Sequence, residues 1–247
     1  MKNDFIFIFL APSTTLLLLE ILSFKPNLFF WILASLSLAL VFFLKKIDGH
    51  SLFSLKFWLN LILPLLFVLS IAGYSLILPS RMAAQTIFIV AAIFVFYYFK
   101  NINRENNGPF LENISSYGGF LILFFSFSLF YGLKSFLGAP MLHPIAASMI
   151  LTALVVTEVF WMNRISFRSA APYIILICLI ILQLSWSLYF LSLGHNFLGL
   201  ILAISYYIAI GVVKPFLRGA LTRKTIKLYL ICGFGAILAV LLSTKWL

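Results

Sequence analysis

The chain has 247 residues, of which 64% are hydrophobic, 17% aromatic and 9% charged, with a mean hydropathy of +1.15. Soluble domains carry roughly 25% charged residues, so a water-facing globular fold is excluded. The formal net charge of +11 does not point to nucleic acid, because the basic residues lie in short stretches between apolar runs and not in an arm or a soluble domain.

Apolar runs of the length that crosses hydrocarbon, about 17–25 residues at 1.5 Å per residue, recur from end to end. They predict spans at Phe5–Phe24, Leu28–Leu44, Phe57–Leu78, Met82–Phe99, Tyr117–Leu137, Pro144–Asn163, Ala171–Leu193, Phe197–Val213 and Leu228–Thr244. The runs lack the two-residue alternation of a membrane barrel, and helices are then the remaining way to satisfy the backbone in lipid. The predicted fold is all-α: a polytopic transmembrane helix bundle of about nine spans (seven to nine), forming a single integral membrane domain over residues 1–247 with no soluble domain. The range of seven to nine reflects the first two runs, which read either as two short spans or as one span with a re-entrant piece. The opening run has no small-x-small cleavage site and is read as a retained helix, not a signal peptide.

The breaks between spans hold turn formers and charges. Placing them on alternate sides puts Lys2, Lys45, Lys46, Lys56, Lys100, Arg104, Arg164, Arg168, Lys214, Arg218, Arg223, Lys224 and Lys227 on one side, 13 of the 17 basic residues. Lys25, Arg81, Lys134 and Lys245 fall on the other. By the positive-inside rule the N-terminus is cytoplasmic and the C-terminus external, most simply in a bacterial cytoplasmic (inner) membrane. The densest basic stretch, Lys214 to Lys227, is then an orientation anchor facing anionic lipid headgroups, with roughly 1 kcal/mol available per Lys or Arg near the surface. Asn113 of an Asn-Ile-Ser triplet falls on the cytoplasmic side in this count and reads as a chance match to a glycan acceptor.

Within the spans, Pro64 frees a backbone carbonyl that a neighbour or water must satisfy. Small residues four apart, Gly235, Ala239 and Ser243 in the ninth span and Ser128 and Gly132 in the fifth, allow close helix approach. They read first as packing within the chain and second as an interface with a membrane-protein partner or a second copy. Gln183 and Ser187 share a face and read as packing glue.

Catalytic and cofactor signatures are few. Cys178 and Cys232 form no metal or redox pair. His143, His195 and Glu20 fall on the external side without helical metal-ligand spacing, and His50 reads as solvated. Gly73-Tyr74-Ser75 lacks the glycine and the base of an intramembrane serine protease. There is no phosphate-binding loop and no dinucleotide fingerprint. No cofactor, metal site or catalytic residue is predicted.

Two of the six acidic residues, Glu20 and Glu158, lie within predicted spans, at depths about 15 Å apart, so they do not form one carboxylate pair. A carboxylate inside a span is a functional candidate by default. Glu158 sits near the cytoplasmic end of the sixth span, and the basic loops offer it partners. The candidate functional or structural ion pair is therefore Glu158 with Arg164, Arg218 or Arg223. Arg164, six residues on and about 120° round the helix, is poorly placed for an intrahelical bridge.

Glu158 with Trp161, the pair Tyr206-Tyr207, the basic loop with Gly219 and Leu221-Thr222, and the closing Thr244-Lys245-Trp246 resemble a group of uncharacterised multi-pass membrane proteins of small-genome bacteria. The resemblance covers under half of the chain. It implies that Glu158 and the basic loop belong together, and it carries no activity. Three functional readings follow: a non-catalytic structural or accessory subunit of a membrane assembly, a small transporter using Glu158, or, more remotely, an enzyme acting on a lipid phosphate.

Overall fold

A computed structural model describes residues 2–48, 51–102, 108–138, 140 and 142–243. His50, Arg104 and the closing Thr244-Lys245-Trp246 lie outside the described residues. The described residues form nine α-helices and no strand: α1 Lys2–Phe24, α2 Phe29–Asp48, α3 Leu55–Ser75, α4 Arg81–Asn101, α5 Gly108–Leu137, α6 Leu142–Met162, α7 Phe167–Tyr189, α8 His195–Leu217 and α9 Arg223–Ser243. All nine are long and apolar enough to cross a membrane, so each predicted span has its helix. A 3₁₀ turn at Pro26–Leu28 leads from α1 into α2, which has 20 residues of its own.

The helices differ from the predicted spans mainly at polar ends. Asn113 is inside α5, whose 30 residues make about 45 Å of helix, longer than a hydrocarbon layer of roughly 30 Å. Much of the basic stretch is helical too. α8 runs through Pro215 to Leu217, and α9 begins at Arg223, where Thr222 Oγ1 accepts from Thr225 N at 3.2 Å. Charge pattern places a residue near an interface without ending the helix, because long basic side chains reach water from a helical position.

The chain divides into two compact units, residues 1–118 and 119–247. In the first, α1 packs on α2, α3 and α4, α2 packs on α3, and α3 packs on α4. Phe57, Phe67, Phe88 and Tyr98 are fully buried there, and Phe67 stacks on Phe94 with ring centroids 3.9 Å apart. Pro64 lies inside α3 and has no N–H to donate to the carbonyl of Asn60, four residues back. The Tyr98 hydroxyl of α4 donates to that carbonyl at 2.5 Å. The freed carbonyl expected at Pro64 thus has a side-chain donor from the neighbouring helix.

In the second unit α6 packs on α7, α7 on α8 and α8 on α9. The C-terminal part of α5 joins them at a close crossing: a methyl group added at Gly199 of α8 would come within 2.6 Å of the Ser128 backbone nitrogen. Ser128, expected as a packing residue, is fully buried at this contact. The Tyr131 hydroxyl donates to Ser185 O at 2.9 Å, and Lys134 Nζ donates to Tyr189 O at the C-terminus of α7. The small-residue face of α9 behaves differently. Gly235, Ala239 and Ser243 are exposed, with open space beyond Gly235, so the expectation that they pack within the chain is corrected. The contact with α8 uses Gly233 instead, two residues earlier and on roughly the opposite face of the helix, where Ile208 fills the space a side chain would need. Gln183 and Ser187 are also exposed, and the Ser187 hydroxyl is satisfied by Gln183 O at 3.0 Å within its own helix.

Candidate functional site around Glu158

α6 carries three buried polar side chains, Ser148, Thr152 and Glu158, and Asn163, the residue just after it, is a fourth. Three of them are satisfied by the helix itself: Ser148 Oγ donates to Pro144 O at 2.6 Å, Thr152 Oγ1 to Ser148 O at 2.7 Å and Asn163 Nδ2 to Val159 O at 2.6 Å. Glu158 differs in kind. It has no exposed surface, and neither carboxyl oxygen has a hydrogen-bond partner. Val155, Val156, Val159 and Phe160, its neighbours along the helix, are buried to within 1%.

Tyr206 of α8 is the polar side chain facing this turn. Its ring is fully buried and its hydroxyl also lacks a hydrogen-bond partner. A methyl group added at Gly119 of α5 would lie 2.8 Å from that hydroxyl, 2.9 Å from Val155 Cγ1 and 3.3 Å from Val159 Cγ2. The phenol therefore sits in a three-helix junction against the 155–159 turn, within electrostatic range of the Glu158 carboxyl. Only a residue without a side chain lets α5 approach this closely. Two orphaned polar groups in an otherwise apolar junction are unusual, since buried side-chain polar atoms nearly always find a partner. A charged side chain held deep in a span costs roughly 2.5–3.5 kcal/mol or more, and among the described residues no cation hydrogen-bonds to the carboxyl to offset that cost.

The basic residues expected near Glu158 are placed as follows. Arg218, at the end of α8, donates through Nη2 to Asn163 O at 2.8 Å and to Asn163 Oδ1 at 3.2 Å. Asn163 is five residues beyond Glu158, about 7.5 Å along the axis. The guanidinium thus meets an unpaired carbonyl at the C-terminus of α6, where the helix dipole favours a cation. Arg164 is exposed and closes α6 in a left-handed conformation, φ 56°, with Ile165 N donating to Phe160 O and Arg164 N to Trp161 O. This is the Schellman arrangement that usually employs glycine. α8 ends in the same way with Gly219 at φ 67°. Arg223 is the exposed first residue of α9. None of the three arginines makes a hydrogen bond to Glu158, whose oxygens are unpartnered.

The structure thus brings Tyr206 and Gly119 to the turn of α6 that carries Glu158, and Arg218 to Asn163. Tyr206 is visible in the sequence only as one of a tyrosine pair, and Gly119 as one of two adjacent glycines in an apolar run; neither carries a local signal for this role. Among the described residues no group of three or more metal-ligating side chains occurs. The site offers one carboxyl and one phenol in an apolar setting, able to exchange a proton or a hydrogen bond.

No protein-family model, curated protein or solved structure matches this chain.

Proposed function

We propose that this multi-pass integral membrane protein acts by association, as a structural or accessory subunit of a membrane assembly and not as a catalyst. The observation that supports this is α9. Of its 21 residues only Gly233 is buried, while Phe234, Leu238 and Leu242 are exposed beside Gly235, Ala239 and Ser243. Lipid covers large apolar side chains equally well, so it gives no reason for an aligned series of small ones. A second helix does, because helices associate in lipid by close packing at small residues. The occupant in this reading is a transmembrane helix of another subunit. The N-terminus faces the cytoplasm of a bacterial cell, the C-terminus lies outside, and the arginines and lysines of the α6–α7 and α8–α9 connections meet anionic headgroups.

A photo-crosslinking residue at position 239 tests this in the native membrane. The expected result is one specific membrane-protein adduct that disappears when Gly235 is replaced by Trp in a chain that still folds. Adducts to lipid alone would overturn the proposal, and adducts to a second copy would replace the foreign subunit with a homo-oligomer.

A second reading, a small transporter using Glu158, is favoured by the burial of that carboxyl without a partner. The enzyme reading requires Arg164, Arg168, Arg218 and Arg223 around one lipid phosphate, and Arg218 is committed to Asn163.

A further inference from the structure

We infer that Glu158 and Tyr206 form a proton-binding site in the second unit, with Glu158 as the proton carrier and Tyr206 as the residue that positions it. The argument rests on geometry. Both Glu158 oxygens and the Tyr206 hydroxyl are buried and unpartnered, and the hydroxyl lies against the 155–159 turn that carries Glu158, whereas the other buried polar side chains of α6 and the residue after it, Ser148, Thr152 and Asn163, are satisfied. A neutral carboxylic acid beside a phenol is a matched pair: each can donate one hydrogen bond and accept another. Ionised, the same carboxyl can only accept, and this junction supplies one donor for its two oxygens.

The surroundings select a proton over a metal ion. Hard cations take about six or more oxygen ligands. Here the phenol meets Val155, Val159 and the backbone of Gly119, and neither carboxyl oxygen of Glu158 has a polar partner. The titratable residues of α5 are Glu112, Tyr117, Tyr131 and Lys134, those of α8 are His195, Tyr206, Tyr207 and Lys214, and none of them hydrogen-bonds to Glu158. The titratable residues of α7 are Arg168, Tyr173, Cys178 and Tyr189, and none of them hydrogen-bonds to Glu158. On α6 itself His143 is 15 residues away, about 22 Å along the axis.

A polar lead runs toward the site from one end. Exposed Arg218 holds Asn163 Oδ1, and Asn163 Nδ2 holds Val159 O, in the same turn as Glu158. The chemistry is a single equilibrium in which a proton adds to one carboxylate oxygen, forming an O–H bond and removing one negative charge. Nothing is oxidised or reduced. The site stands independently of the accessory role, since a proton can be bound whether or not α9 docks a partner.

The test uses the full chain in lipid nanodiscs and infrared difference spectroscopy across a pH series. Wild type is expected to show a carboxylic-acid carbonyl band at neutral pH, which Glu158→Gln removes. Tyr206→Phe should keep the band but move its frequency, because the hydroxyl dipole within electrostatic range of the acid is lost. A neutral amide replaces a neutral acid in Glu158→Gln, so this variant should fold and melt with wild type. Retention of the band in Glu158→Gln, or its absence from wild type, would overturn the proposal. So would failure of Glu158→Gln to fold, because that would show a need for the charge. An unmoved band in Tyr206→Phe would remove Tyr206 from the site.

Discussion

The contact between Tyr98 and Asn60 makes a quantitative prediction. Pro64 deprives the Asn60 carbonyl of its helical donor, and the Tyr98 hydroxyl meets that carbonyl at 2.5 Å with both residues buried. Interhelical side-chain hydrogen bonds in membrane proteins average only about 0.6 kcal/mol, because the partners find substitutes when the bond is lost. Here the acceptor is a backbone carbonyl already without its helical donor, so the relevant scale is the cost of an unsatisfied buried group, about 1–3 kcal/mol. Tyr98→Phe removes the hydroxyl donor from a side chain with no exposed surface. It should therefore lower the folded-to-unfolded ratio by roughly 5- to 150-fold, since about 1.4 kcal/mol is a factor of ten. The assay is reversible unfolding in mixed detergent micelles, run as a double-mutant cycle with Pro64→Ala. Alanine restores an N–H at position 64, which returns a helical donor to Asn60, so Tyr98→Phe should cost at least 1 kcal/mol less in that background, above the ~0.3–0.5 kcal/mol by which independent sites depart from additivity. Equal costs in the two backgrounds would refute the coupling between Pro64 and Tyr98.

Three further outcomes follow from the helix contacts and ends. Gly199→Ala should destabilise the second unit by about 1–3 kcal/mol, because the new methyl would meet the Ser128 backbone, which cannot give way as a side chain could; Gly235→Ala, into open space, should be neutral or stabilising by up to about 1 kcal/mol from helix propensity, and melting in detergent compares the two. Arg164→Gly should raise the melting temperature and Arg164→Val should lower it, since a left-handed φ of 56° costs a non-glycine residue roughly 1–2 kcal/mol; the opposite order would sink the assignment of that helix end. Arg218→Gln should cost about 0.5–2 kcal/mol through loss of the cation at the C-terminus of α6, seen as faster hydrogen exchange at Asn163 and Arg164 with little change in α9.

The helices themselves were legible because the signal is local. A hydrocarbon layer demands about twenty apolar residues in succession, and each predicted run coincides with a helix, including the first two, where the short second run left one or two spans open. Helix ends were harder to read. Arg223, Lys224 and Lys227 appear in sequence as part of a charged loop, yet they lie in the first turns of α9. The Pro64 carbonyl was legible as a need, because a proline always withholds one donor. Its donor, on another helix 38 residues from Asn60, was not.

Glu158 follows the same division. Composition and spacing were enough to identify a carboxylate in a span with basic loops near one end, and to make those loops its natural partners. Tertiary packing decides otherwise for Arg218, which reaches Asn163 across 55 residues of sequence because the C-terminus of α6 presents a bare carbonyl there. It also brings Tyr206 to the turn that carries Glu158, where α5 approaches so closely at Gly119 that an added methyl group would lie 2.8 Å from the phenol oxygen. The sequence alone determined what must sit in lipid, since transfer free energy adds up residue by residue along a helix. Which polar groups meet inside that lipid was decided by the tertiary structure alone, since a hydrogen bond or a proton site depends on ångström-scale distances between residues far apart in the chain.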